Sequence, residues 1–293
     1  MNGIININKP LGMTSHDVVG RLRRILGIKK IGHTGTLDPD ASGVLPMCIG
    51  RATKTADMLT AQNKQYIAEV TLGSATTTLD ASGEVTETSE VNVDECDIQS
   101  VVTEFVGDIM QIPPMYSAIK IDGKRLYELA REGVEVERKP RPVTIEKIEI
   151  LGIDLENKKF SMKVDCSKGT YIRTLCDDIG RRLGCLAHMS ALIRTRSGRF
   201  CIDDAYTLDE VEKMAGEGDM SFLVPIDKVF EELPKLILSS RRAKLMCNGV
   251  RISAQGIIDG EAYRVYDESG SFLTISEAEN GQLKILKTFY QTS

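Results

Sequence analysis

Fifteen residues near the N-terminus, Gly32-His33-Thr34-Gly35-Thr36-Leu37-Asp38-Pro39-Asp40-Ala41-Ser42-Gly43-Val44-Leu45-Pro46, constrain this chain more than any other stretch. Gly32, Gly35 and Gly43 permit tight or positive-φ backbone, while Pro39 and Pro46 fix φ and push the residue before them out of the helical region. A loop punctuated in this way is rigid. It places one carboxylate, Asp38, where its rotamer and hydrogen bonds can be set before any ligand arrives.

Simpler readings of the loop are weighed first. An aspartate before a proline is commonly only a turn residue. Asp38, Asp40, Ser42 and Gly43 fall at positions 1, 3, 5 and 6 of a calcium loop, but position 12, which needs a bidentate glutamate, is Ile49. A phosphate loop needs four residues between its glycines and a following lysine; here six residues separate Gly43 from Gly50, and Arg51 follows. Neither a cation loop nor a nucleotide loop is supported.

Composition bounds the remaining classes. The 293 residues, 42% of them hydrophobic, suffice for one large and one small domain with packed cores. The N-terminus lacks the basic and apolar regions of a signal peptide, and no long apolar run suits a membrane helix, so a cytoplasmic protein is expected. Seven scattered cysteines without a Cys-x-x-Cys pair, and only three histidines, imply neither a zinc site nor a disulfide framework. No metal and no cofactor are expected.

The net charge of −5 is unevenly distributed. Residues 80–108 hold nine acids and no lysine or arginine, residues 203–232 hold ten acids against two lysines, and the remainder is positive by twelve. Positive charge concentrates in Arg21–Lys30, in Lys120–Lys147 and in Arg194, Arg196 and Arg199. These are expected to form a surface that follows phosphates, with the acidic segments turned away. Ordinary solvated helix faces would explain the acidic segments equally well.

Periodicity predicts an α+β fold. Ile4–Ile7 alternates as a strand, and Thr14-x-x-Asp17 forms a capping box for a helix that carries Val18, Leu22, Ile25 and Leu26 and stops at Gly27. Tyr66–Leu72 and Phe160–Cys166 read as strands and Glu95–Phe105 as a helix. Leu175, Ile179 and Leu183 line one face of a helix ended by Gly184. Strands and helices mix without a regular βαβ rhythm. Pro113–Pro142 is charge-rich, bracketed by prolines and contains a short helix around Leu126, Leu129 and Ala130. It reads as an inserted arm or, equally, as an ordinary helical hairpin. From Pro234 onward, short apolar runs between glycine turns indicate a β-rich module.

Gly32–Pro39, Ala41–Pro46 and Gly50–Lys54, followed in order by Lys64–Ala68, Pro114–Lys120 and Ser167–Leu175, resemble the motifs of the TruB family, the bacterial tRNA pseudouridine-55 synthases. The resemblance runs from Asn8 to about Phe200 and is looser in the tail. It implies a mixed-sheet catalytic domain over 1–232, an RNA-gripping thumb arm at 113–142, and a PUA-like RNA-binding domain over 233–293. It also implies a reaction that breaks the N1–C1′ bond of a uridine, turns the uracil and rejoins it through C5.

Within that resemblance Asp38 is the nucleophile, attacking either C1′ or C6. Arg173 keeps its carboxylate ionised in a closed pocket. Tyr171 and Arg173 are two apart and would share one side of an extended segment. Tyr66 is expected to stack on the flipped uracil and assist proton removal from C5, and Leu192 to close the pocket. His33 would fill the gap left by the extruded base. Asp80 would have a positioning role, Lys120, Lys124, Arg125 and Arg138 would meet phosphates, and Lys9 with Pro10 would brace the catalytic loop. Thr34 or Thr36 would orient the loop through its hydroxyl. His16 and His188 are read as structural. The expected partner is the T stem-loop of tRNA, engaged by a monomer. A non-catalytic tRNA-binding or folding module on the same scaffold is the alternative, although such a module has no need of Asp38, Tyr66, Tyr171 and Arg173 together.

Overall fold

The N-terminal alternation becomes the strand Gly3–Lys9, which pairs antiparallel with Ala41–Ile49. It is one edge of a nine-stranded sheet in the computed structural model, which describes residues 1–121 and 123–290. Across the sheet lie Gly3–Lys9, Ala41–Ile49, Ala187–Ser197, Lys64–Leu72, Lys159–Cys166, Arg141–Asp154 and Gly107–Gln111, with Ile31–His33 and Phe200–Cys201 attached to the side. Among these strands Ala187–Ser197 against Ala41–Ile49 runs parallel and the other pairs antiparallel, so the sheet is mixed, as the resemblance implies.

That parallel contact needs a glycine. Gly43 has φ +102°, and a Cβ there would lie 2.3 Å from the Arg194 carbonyl oxygen. The same register sets Leu192 beside Ala41 and Ala68, and Arg194 beside Gly43 and Tyr66. Directly paired residues share a sheet face, so Tyr66, Leu192 and Arg194 point the same way from the strands next to the Asp38 loop.

Among the helices that pack on the sheet, two end at the glycines the sequence marks. Ser15–Leu26 opens on the expected Thr14–Asp17 capping box, buries Val18, Val19 and Leu22, and ends at left-handed Gly27. Ile172–Leu183 buries Leu175 and Ile179 and ends at left-handed Gly184. Its Gly180 lets the helix lie against Ala187, since a Cβ would come within 2.2 Å of the Ala187 nitrogen. This helix corrects one expectation. Tyr171 is extended as its N-cap, but Arg173 already sits in the first helical turn, so the two side chains are not arranged as on a strand. The Glu95–Glu104 helix and the Lys64–Leu72 and Lys159–Cys166 strands match their predicted positions.

The 113–142 segment contains a small hairpin, Lys120–Ile121 with Lys124–Arg125, and the helix Leu126–Arg131. Arg141 and Pro142 already belong to the central sheet, paired with Gln111 and Met110. The tail forms a five-stranded sheet in the order Lys235–Leu238, Ala262–Asp267, Phe272–Glu279, Gln282–Thr288, Ile252–Ser253. It also has a helix, Ser240–Cys247, that periodicity did not reveal.

The tail docks on the large domain through one apolar cluster that includes Ile4, Val44, Leu59, Phe200, Val229, Phe230, Ile275 and Phe289. Polar contacts flank it. The Arg51 guanidinium donates to the Phe289 carbonyl, and Lys54 Nζ donates to Thr288 Oγ1 at 2.7 Å. The cations of the Gly50–Lys54 motif therefore hold the two units together.

Candidate active site

The Asp38 loop is fastened from below by the first seventeen residues of the chain. Ser15, buried at the start of its helix, accepts from the Leu37 N–H at 2.9 Å and donates to the Leu37 carbonyl at 3.1 Å. The Gly12 N–H donates to the Pro39 carbonyl at 2.9 Å. Lys9 is fully buried, and its ammonium donates to the carbonyls of Pro10 at 2.9 Å, Met13 at 2.6 Å and Pro39 at 3.3 Å. Three N–H donors meet three acceptors, which makes the buried cation tolerable. Burial nevertheless lowers its pKa to about 8, against the opposing pull of Asp38 and Asp40. Lys9 thus braces the loop from inside, its side chain closed off from solvent.

Above the loop stands Arg173, nearly enclosed. Its Nη2 lies 3.1 Å from Asp38 Oδ2 and donates to the Tyr116 carbonyl at 2.8 Å. Its Nη1 lies 3.2 Å from Asp80 Oδ2 and donates to the Thr78 carbonyl at 3.2 Å. Asp80 is itself held, since its Oδ1 accepts from the hydroxyls of Thr78 and Ser82, both at 2.6 Å, and from the Ser82 N–H at 3.0 Å. The Asp38 side chain keeps 44% of its surface exposed while the Arg173 side chain keeps 8%. The carboxylate is therefore reachable and the cation is fixed. Burial pushes the Asp38 carboxyl above the usual carboxylate range, Arg173 pulls it down, and Asp80 and Asp40 raise it again.

Two phenols feel the Asp38 charge. Burial raises the pKa of Tyr66, and neighbouring Arg194 opposes that rise. Burial also raises Tyr171, with Ser117, Arg141 and Arg173 opposing it. Both rings are protonated at neutral pH. Leu192 is buried among the core residues of this face. His33 ends the Ile31–His33 strand, and burial, then the Arg194 and His16 charges, lower its pKa, so its imidazole is neutral at pH 7. Asp38, Arg173 and Asp80 are in direct contact, whereas Lys120 stands apart and exposed on the arm hairpin.

Other charges are spent inside the fold. Arg194, which the sequence groups with a phosphate-following surface, is 1% exposed. Its Nε donates to the Val44 carbonyl at 2.7 Å and its Nη2 to the Gly35 carbonyl at 3.2 Å, clamping both ends of the loop. Arg196, partly exposed, pairs with Asp165 and the exposed Arg199 with Glu231, so of that expected RNA-facing cluster only Arg194 is internal. Lys124 pairs with Glu132, while Arg138 pairs with Glu135 and donates to the Pro113 carbonyl. In contrast, Arg23, Arg24, Lys29 and Lys30 are exposed. Thr34 joins the loop through its main-chain N–H on the Pro46 carbonyl, and its buried hydroxyl has no partner among the described residues, contrary to the expected side-chain role. Sequence reasoning missed Ser15, Arg194 as a loop clamp, and Gln111, whose carboxamide bonds both main-chain groups of Tyr171.

A family model for the N-terminal domain of TruB family pseudouridylate synthases matches residues 23–172. A model for the tRNA pseudouridylate synthase B C-terminal domain matches 173–236, and one for the C-terminal part of pseudouridine synthase II TruB matches 234–284. The chain belongs to the TruB family of pseudouridylate synthases. This TruB-family isomerase is 47% identical to tRNA pseudouridine synthase B of Bacillus subtilis, with 100% of this chain and 99% of that protein covered. It is 48% identical to tRNA pseudouridine synthase B of Alkaliphilus oremlandii, with 99% of each covered. Among solved structures it is similar to an archaeal box H/ACA sRNP Nop10–Cbf5 complex, at 28% identity and a TM-score of 0.73, covering 98% of this chain and 86% of that one. It is also similar to an H/ACA RNP bound to a substrate RNA containing 2′-deoxyuridine, at 27% identity and a TM-score of 0.72, covering 99% and 85%.

Proposed function

We propose that this TruB-family enzyme isomerises the uridine at position 55, in the T loop of tRNA, to pseudouridine, with Asp38 as the nucleophile and the target base flipped out of its stack. The observation that carries the reading is the Asp38–Arg173–Asp80 cluster. It offers one exposed carboxylate against a guanidinium whose other hydrogen bonds are all made within the fold. An RNA-binding module would bury that cation at a cost without needing the accessible carboxylate.

The chemistry is internally balanced. Asp38 adds at C1′ or C6, the N1–C1′ bond breaks, the uracil turns, C5 joins C1′, and the bond to Asp38 breaks so that the carboxylate is regenerated. The C5 proton leaves and N1 gains one, so the product is an isomer and no redox partner is required. Arg173 holds Asp38 ionised and oriented. The raised phenol pKa of Tyr66 supports stacking on the uracil over removal of its C5 proton, because a protonated phenol is a poor base. The neutral ring of His33 can enter a base stack without the desolvation cost of an imidazolium. Leu192 supplies an apolar wall. Lys120 and the exposed Arg23, Arg24, Lys29 and Lys30 suit backbone phosphates of the T stem-loop. Residues 1–232 act as the catalytic unit, 113–142 as its arm and 233–293 as a PUA-like RNA-binding unit, in a cytoplasmic monomer.

The test uses T-loop tRNA carrying tritium at C5 of uridine, incubated with purified protein and, separately, with Asp38→Asn. Tritium release by the wild type alone supports both the reaction and the nucleophile. Tight tRNA binding without release moves the function to the binding-module reading.

A further inference from the structure

Gln111 is 2% exposed at the end of the Gly107–Gln111 strand, the last sheet residue before the arm. Its Oε1 accepts from the Tyr171 N–H at 2.8 Å, and its Nε2 donates to the Tyr171 carbonyl at 3.0 Å. Tyr171 is the N-cap of the Ile172–Leu183 helix, and its own side chain makes no cap hydrogen bond. A residue sixty positions away therefore holds the main chain where that helix starts. The placement matters because Arg173, in the first turn beyond Tyr171, is the group that meets Asp38. The residues that follow Gln111 add to the same grip. The Tyr116 carbonyl accepts from Arg173, and the buried Ser117 hydroxyl lies against the Tyr171 phenol.

We propose that Gln111 is a positioning residue for the isomerisation: its carboxamide fixes the Tyr171 main chain and thereby the aim of Arg173 at Asp38. This role rests on the reading of Asp38 and Arg173 given above. A carboxamide presents an acceptor to the N–H and a donor to the carbonyl at once. Glutamate keeps the first bond in either protonation state but makes the second only when protonated. Methionine fills the same volume and makes neither bond.

The experiment measures single-turnover tritium release and RNA affinity for the wild type, Gln111→Met and Gln111→Glu between about pH 6 and about pH 8, with thermal melting as a check on folding. Gln111→Met should lower the single-turnover rate roughly 10–100-fold, the size of effect expected from a misaimed catalytic group, with RNA affinity held within about two-fold. Gln111→Glu should be impaired to a similar degree near pH 8. Its rate relative to the wild type should recover at least about five-fold toward pH 6, as protonation restores the second bond. That comparison is made on one folded sample, so it stands even where Gln111→Met does not fold. Wild-type rates in both variants, or a Gln111→Glu ratio that stays flat with pH, overturn the proposal. Absence of release from the wild type removes the reaction itself, and this role with it.

Discussion

One guanidinium, that of Arg173, serves two carboxylates, lying 3.1 Å from Asp38 and 3.2 Å from Asp80. The two aspartates differ in what surrounds them. Asp80 has hydroxyl and N–H donors on its other oxygen, whereas Asp38 is left with an open side. The arrangement separates a holding carboxylate from a reacting one.

Replacing Arg173 with glutamine should expose this division of labour. Loss of the cation removes the largest influence that lowers the Asp38 pKa and leaves burial, Asp80 and Asp40 to raise it against Lys9 alone. The nucleophile must be ionised, so the acid limb of the pH–rate profile should move to higher pH. The Thr78 and Tyr116 carbonyls and the Asp80 carboxylate also lose a buried donor, at a cost of about 3–5 kcal/mol. Stopped-time tritium release across pH, together with calorimetric melting, checks both effects; an unmoved acid limb would detach Arg173 from Asp38 ionisation.

Asp38→Asn should behave differently. A carboxyl with a raised folded-state pKa is favoured at low pH, and that contribution is lost as pH rises through the folded value. At pH 7 the ionised group therefore detracts from stability, and its neutral isostere should melt at the same temperature as the wild type or above it, while turnover disappears. A large fall in melting temperature would mean that the carboxylate is structural.

Much of this site is readable from local chemistry, and the unreadable part is non-local. Gly43 and Pro39 act on their own backbone, so the rigid loop follows from the residues themselves, as do the Thr14–Asp17 cap and the Gly27 and Gly184 stops. The loop clamps follow a different logic. Ser15 meets Leu37 across 22 residues, Arg194 meets Val44 across 150, and Gln111 meets Tyr171 across 60. No periodicity carries such pairings. The start of the Ile172–Leu183 helix is hidden for the same reason: its N-cap is Tyr171, the Thr170 hydroxyl turns back to the Ser167 carbonyl, and the main-chain anchor, Gln111, lies on a distant strand. Charge runs misled as well: Arg194 and Arg196 look like surface cations in a row, yet the register turns one to carbonyls and the other to Asp165.

Gly43→Ala tests the parallel junction directly. The added methyl group would meet the Arg194 carbonyl oxygen at 2.3 Å and its nitrogen at 2.9 Å, both main-chain atoms, at a φ of +102°. Backbone cannot swing aside as a side-chain tip can. The variant should lose about 2–4 kcal/mol, and a chemical-denaturation midpoint equal to the wild type would show that the strands separate freely there.

Lys9→Met links stability to catalysis. The substitution keeps a long apolar stem but leaves the carbonyls of Pro10, Met13 and Pro39 without their shared donor. Losing hydrogen bonds to a charged group, with the acceptors still turned inward, should cost about 3 kcal/mol. Because Pro39 directly follows Asp38, the loss should also loosen the nucleophile. The single-turnover rate should then fall by more than the affinity for RNA, since the Lys9 side chain is itself buried and bonds the residue next to the nucleophile. Filter binding and tritium release on the same preparation separate the two quantities. Equal losses in both would instead make Lys9 a support of the RNA-binding surface as a whole.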